Sequence, residues 1–402
     1  MKIAVVTYDL WPGRERLMPW KTVIEVTRRM RAHGHDARVV SISAGADHSY
    51  VSHDSGLPLY CYPTVSDLKT SFSTDEEETF NPALVYWPVT WRSGLKGNSV
   101  WHPWTCATVA YHGGCCYNAG HVRAAMRHMP FRSLRTLMVE TYVPKHILVR
   151  KLRKLGVIGV LCMTDLTRRM FAQAGWPKEK AIAIPPGLPP DDSGTTDMPS
   201  NGCLENIHSG LPYVLFLGNP LPIRGIYVLL SASRKVFANN KNSRIVCLLR
   251  PDPGKEMTSA REGILRKVKE LGVEERFICI TRKLTTNEIR QSIKNARAVA
   301  MPFLYIPSEI PLGILEAMQM GTPVITSESG GTSEYLGDCG WVVPPGNVDA
   351  LANAVFSALQ DAETRQRKAD ACREKMALHP TWETVGDAWL EFGLSALKGL
   401  PV

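Results

Sequence analysis

The chain predicts an α/β protein made of two Rossmann-like domains. Three observations carry that expectation. Its 402 residues exceed one typical core and suit two domains of ~100–200 residues each. Two segments, KIAVVTYDL at 2–10 and YVLFLGNPL at 213–221, are short β-branched runs that end in a loop containing Pro or Gly. Each continues into a helix-like stretch and then another apolar run. Strand–helix–strand repeats of this kind build parallel sheets, because parallel neighbours need a crossover.

Taken in order, the first run is followed by PWKTVIEVTRRMRAHGHDARVVSI. Pro19 suits a first helical turn, Gly34 a stop, and Ala37–Ile42 a new strand. Residues 122–160 mix Arg, Lys and His with Leu, Met, Val and Phe. Such a basic amphipathic surface suits anionic lipid headgroups, and it equally suits solvated helix faces over a core. Pro, Gly, Ser and Asp crowd out apolar periodicity at 184–210, which places the join there. The expected domains are 1–190 and 205–380. EKAIAIPPG and AVAMPFLY read as buried strands, ALANAVFSALQDAETRQRKADACREKMAL as helix, and TWETVGDAWLEFGLSALKG as a final amphipathic helix.

Composition narrows the class. Hydrophobic residues are 44% and charged residues 21%, which is ordinary globular usage. No apolar run approaches the ~20 residues of a bilayer span. The opening MKIAVVTYDLWPG lacks the shape of a cleaved secretory leader, so a cytoplasmic protein, at most peripheral to a membrane, is expected. The ten cysteines sit mostly singly in apolar runs and read as buried thiols. Cys115–Cys116 has no accompanying cluster at zinc-ligand spacing, so no metal is expected. A formal charge of +9 favours anionic partners: sugar nucleotide, nucleic acid or acidic membrane. No module that reads RNA or DNA accompanies it, and nucleic acid is not an expected partner. Neither G-x-G-x-x-G nor G-x-x-x-x-G-K-[ST] occurs, which argues against a dinucleotide cofactor or a P-loop.

Chemistry concentrates at 298–331, where AVAMPF, LYIPSEIPLG, ILEAMQM, GTPVITS and ESGG read as strand, loop, helix, strand and Gly-Gly loop. A helix starting at Leu312, Gly313 and Ile314 points its free N–H groups into the loop before it, which is a ready anion site. Glu316, one turn in, can accept paired hydrogen bonds from vicinal hydroxyls such as those of a ribose.

This stretch resembles the retaining glycosyltransferases of the GT-B fold, family 4 (glycosyl transferases group 1). The match runs through Pro307-Ser308, Glu309, Pro311, Leu315-Glu316-Ala317-Met318, Gly321, Pro323-Val324-Ile325 and Gly330-Gly331 with Glu334. IGVLCMTDLTRRMFAQAGWPKEKAIAIPPGL and DCGWVVPPGNVDALANAVFSAL are similar to neighbouring family segments, so the resemblance covers 158–358. It implies two domains facing across a cleft, the last helix crossing back to the first domain. It also implies metal-independent transfer of a sugar from a nucleotide diphosphate donor, UDP-sugar before GDP-sugar, to a sugar or lipid-linked acceptor. No cofactor is implied.

Site residues follow from the same resemblance. Glu309 would hold donor-sugar hydroxyls and Glu316 the ribose. His112, from ATVAYHGG, would reach the reacting sugar, since strand C-termini are where open α/β sheets bind ligands. Arg224, with Arg250, Arg282 or Lys283 in place of a missing cation, would hold the phosphates, and Leu284 is a further donor-binding candidate. The chain also departs from the family. Only six residues separate Glu309 from Glu316, one fewer than usual. Either a shorter loop still brings Glu309 to the sugar, or Ser308 takes the acidic position. Asn219 stands where a cation is common, and Leu17-Met18 where Gly-Gly is common, leaving Gly13 as the candidate for close backbone approach. These departures keep a second possibility open, a catalytically eroded nucleotide-sugar-binding scaffold.

Overall fold

The computed structural model describes residues 1–11, 14–15, 17–43, 50–51, 56–70, 80–97, 101–126, 131–189, 210–249, 255–306 and 308–399. The first half builds one sheet from β1 (Lys2–Tyr8), β2 (Asp36–Ile42), β3 (Tyr50–Val51), β4 (Pro58–Tyr62), β5 (Leu84–Val89), β6 (Ala107–His112), β7 (Val157–Cys162) and β8 (Ala181–Ala183). Its order is β3-β4-β2-β1-β5-β6-β7-β8, parallel throughout except for the short β3–β4 pair. Helices α1 (Trp20–Ala32), α2 (Val65–Thr70), α3 (Ala119–Met126), α4 (Phe131–Tyr142), α5 (Lys145–Lys154) and α6 (Asp165–Gln173) connect these strands.

Central strands read as unbroken apolar runs because both sheet faces are covered. Alternation then sorts them: Ala4, Val6, Val85, Trp87 and Ala110 join one core, and Ile3, Val5, Leu84, Tyr86 and Val109 the other. The first helix begins after Pro19 and stops at Gly34, whose φ of 79° is a left-handed conformation that glycine tolerates.

The second half repeats the plan with β9 (Tyr213–Gly218), β10 (Arg244–Leu249), β11 (Phe277–Ile280), β12 (Ala298–Met301), β13 (Val324–Ser327) and β14 (Gly340–Val343). Their order is β11-β10-β9-β12-β13-β14, all parallel. Helices α7 (Ile226–Asn239), α8 (Lys255–Glu270), α9 (Thr286–Asn295), α10 (Leu312–Gln319), α11 (Gly330–Leu336) and α12 (Val348–Gln360) pack around it. The single helix expected after residue 348 is two, α12 and α13 (Ala362–Ala377). Asp361 breaks it, because its carboxylate accepts from the Thr364 amide at 2.9 Å and caps a new helix.

The last helix, α14 (Trp382–Leu397), returns to the first half as expected. Val385, Trp389, Leu390 and Phe392 enter the core that α1 covers, and the Tyr86 hydroxyl donates to the Trp389 carbonyl at 2.6 Å. Strand order reverses between β1 and β5 in the first sheet and between β9 and β12 in the second. Crevices at such switch points, outside the strand C-termini, are where this class of sheet binds ligands. No described helix is long and apolar enough to cross a membrane.

Candidate active site

The switch point of the second sheet is built by two loops that hold each other. The Leu304 and Tyr305 amides both donate to the Ile223 carbonyl, at 2.9 and 3.2 Å. Gly225 makes this contact feasible: it has φ 80°, and a Cβ there would lie 1.8 Å from the Pro302 carbonyl oxygen. Arg224, just before it, lays its guanidinium over Phe303 at 5.5 Å. Asn219 ends the β9 turn buried, and its Oδ1 has no hydrogen-bond partner among the described residues.

Beyond β12 the chain reaches Glu309 and α10. Pro311 caps that helix without any side-chain hydrogen bond, so Leu312 and Gly313 begin it with uncapped amides. Ile314 differs from expectation: its amide donates back to the Pro311 carbonyl at 3.0 Å and its side chain is core. Glu316 is half-buried, and burial raises its pKa against the opposing pull of Arg290. Leu284 packs into the core cluster that contains Ile314, whereas Lys283 is exposed. Arg282 is committed to Glu288 at the start of α9, where it helps pull that carboxyl down to about 2. Gly13 and Arg250 lie outside the described residues.

The carboxyl edges of the two sheets meet. The Tyr117 hydroxyl, after β6, donates to the Ile306 carbonyl, and its ring stacks on Tyr305 at 5.2 Å. Gly330 fits against Cys116 and Gly331 against Thr164, with Cβ positions 2.7 Å from both neighbours. Glu309 is sealed into this junction at 1% exposure. Its Oε2 accepts from Thr164 at 3.0 Å, and its Oε1 accepts from Thr167 and from the Cys116 thiol, the latter at 3.3 Å. Burial pushes its pKa up to about 7, despite those three donors. Ser308 is also buried and reaches the first half too, its hydroxyl 3.4 Å from the Met163 sulfur, but Glu309 is the one that brings a carboxylate there.

His112 ends β6 as expected, but inside an aromatic cluster. Its ring lies 4.7 Å from Trp91 and 5.7 Å from Phe171, at 1% exposure, and neither nitrogen finds a partner among the described residues. Burial and the nearby Lys145 charge pull its pKa down to about 3. Ser327, which ends β13, and Ser329, just beyond it, likewise have buried hydroxyls without described partners. Cys116, Thr164 and Thr167 were not legible as site residues; T-D-L-T signals only a helix start.

Comparison with known proteins agrees with this architecture. Residues 211–361 match the family model of glycosyl transferases group 1. Glycogen synthase of Mycobacterium tuberculosis is 34% identical over 158 residues, 38% of this chain and 38% of that protein. The aligned part thus spans about two fifths of that relative's length. Over the whole chain, sucrose-phosphate synthase from Thermosynechococcus elongatus superposes with TM-score 0.70 at 17% identity, covering 99% of both chains. Anabaena HepE in complex with UDP-glucose superposes with TM-score 0.66 at 16% identity, covering 100% of both. Two parallel sheets meeting at their carboxyl edges and a returning C-terminal helix give the chain a GT-B-like fold, and its segment 211–361 is similar to the glycosyl transferases group 1.

Proposed function

We propose that the protein moves a sugar from a nucleotide diphosphate donor to an acceptor hydroxyl with retention of anomeric configuration, a UDP-sugar being favoured over a GDP-sugar. The observation that carries this reading is where buried polar atoms go unpartnered among the described residues. Asn219 Oδ1, the Ser327 and Ser329 hydroxyls and both His112 nitrogens gather at the carboxyl edges of the two sheets. Buried polar atoms are nearly always satisfied, so a polar ligand between the sheets would account for this group together. That Anabaena HepE, of like fold, holds UDP-glucose supports the uridine choice.

In this reading Arg224 and the amides of Leu312 and Gly313 stabilise the charge that develops on the leaving diphosphate. Glu316 accepts the ribose hydroxyls and Glu309 a hydroxyl of the donor sugar, while His112 faces the sugar from the opposite half. Calorimetry against UDP, GDP and ADP, on the wild type and on Glu316→Ala, tests it. Binding of one nucleotide that Glu316→Ala abolishes is expected, with slow donor hydrolysis that needs Glu309. Failure to bind any of the three would overturn the donor site.

One observation favours the scaffold reading: both Glu309 oxygens already accept hydrogen bonds from the protein. Nucleotide binding with no cleavage of any donor, with or without acceptors, would select it. For the acceptor we propose a lipid-linked molecule met at an anionic membrane. α5 turns Leu148, Val149 and Leu152 inward and exposes His146, Arg150, Arg153 and Lys154, while Met138 and Tyr142 are exposed one turn apart on α4. Co-sedimentation with anionic but not neutral liposomes is expected; equal binding to both would remove this idea.

A further inference from the structure

Two carboxylates of the second half end on one helix start of the first. Thr164 is the N-cap of α6, its hydroxyl oxygen accepting from the Thr167 amide at 3.3 Å. That hydroxyl donates in turn to Glu309 Oε2 at 3.0 Å, while the Thr167 hydroxyl donates to Oε1. Between them, the Leu166 amide donates to Glu334 Oε1 at 3.0 Å, and Arg169 pairs with its other oxygen. In the common capping box the third helical residue is itself a Glu that reaches back to the cap. In T-D-L-T that place belongs to Thr167, and the carboxylate arrives from 142 positions away.

Room for this is made by Gly331, where a Cβ would lie 2.7 Å from the Thr164 hydroxyl and 3.0 Å from Glu309 Cδ. Without the two hydroxyls Glu309 would be a sealed carboxylate with only a weak thiol donor, an arrangement that is costly to maintain. Each carboxylate oxygen has about two acceptor sites. Thr167 and Cys116 fill those of Oε1, whereas among the described residues Oε2 takes a hydrogen bond only from Thr164.

We propose that Thr164 and Thr167 are positioning residues for Glu309: their hydroxyls orient its carboxylate only when the two halves close, so closure and assembly of the sugar-binding carboxylate are one event. The glycosyl-transfer reading gives Glu309 its meaning here, but the contact itself is testable without any donor. Small-angle X-ray scattering of the ligand-free full chain should find the wild type compact. Thr167→Val should have a larger radius of gyration, and Thr167→Ser, which keeps the hydroxyl, should restore the compact form. The double variant Thr167→Val/Glu309→Ala should open no further than Glu309→Ala alone, since both remove one contact. Should Thr167→Val fail to fold by circular dichroism, Thr164→Ser and Glu309→Ala provide the same comparison: compact for the first, open for the second. A folded Thr167→Val as compact as the wild type, or Thr167→Ser as open as Thr167→Val, overturns the proposal. UDP calorimetry on the same samples separates the two ideas. Thr167→Val should keep the wild-type affinity for UDP, and a wild type that binds no UDP, GDP or ADP sinks the donor site while leaving the scattering result to stand.

Discussion

Glu309 and His112 are both buried ionisable groups, but burial drives them in opposite directions because it disfavours whichever form is charged. Glu309 is raised from 4.5 to about 7, so the folded chain holds its proton more tightly than the unfolded one. The stability this adds is complete below about pH 4.5 and is lost as pH rises through about 7, on the order of 3 kcal/mol for a shift of that size. The wild-type melting temperature should therefore fall relative to Glu309→Gln across that window; a constant difference would show a carboxyl that titrates normally. His112 is lowered from 6.5 to about 3, so its contribution is present above about 6.5 and lost as pH falls toward 3. His112→Phe, which keeps a ring beside Trp91 and Phe171, should flatten the acid side of the profile. An unchanged acid slope would mean His112 is charged in the fold.

At the scale of elements, glycines decide what approaches what. Gly225 lets the loop after β9 touch the loop after β12, and Gly331 lets α11 touch α6. Gly225→Ala combines a left-handed φ with a carbonyl oxygen at 1.8 Å, and it should destabilise the second half by about 1–3 kcal/mol or more. Denaturant unfolding would read this as a lower midpoint, and an unchanged midpoint would mean that the loop relaxes freely. Gly331→Ala should leave each half folded yet weaken their closure, visible as greater protease cleavage between the sheets at unchanged helix content. Much of this level was legible in the residues. Pro19 and Gly34 bound α1 because φ restrictions are local, and the uncapped start of α10 follows from Pro311. The break at Asp361 was missed because a capping carboxylate looks like any solvated Asp within an unbroken apolar period.

At the scale of the molecule, α14 ties the end of the chain to its beginning. Arg29 grips Asp387 through two hydrogen bonds, at 2.6 and 2.8 Å, but this pair is too exposed to carry the docking. Burial carries it: Val385, Leu390 and Phe392 at about 1.5–3 kcal/mol each amount to much of the ~5–15 kcal/mol net stability of a domain. A chain ending at Pro380 should therefore have a first half that melts early and is digested readily, while the second half survives as a resistant fragment. Equal resistance of both halves would show that α14 is dispensable.

By itself the sequence determined the class of the protein, two parallel α/β halves, and the place of its motif. Apolar period, proline, glycine and the spacing around Leu315-Glu316-Ala317-Met318 are properties of neighbouring residues, and they act wherever the chain goes. Only the tertiary structure decided what Glu309 touches, that Arg282 belongs to Glu288, and that His112 sits among aromatic rings. Those outcomes depend on side chains brought together from distant parts of the chain. Thr164 and Thr167 reach Glu309 across roughly 140 positions, and no local pattern encodes a contact that exists only when two sheets meet edge to edge.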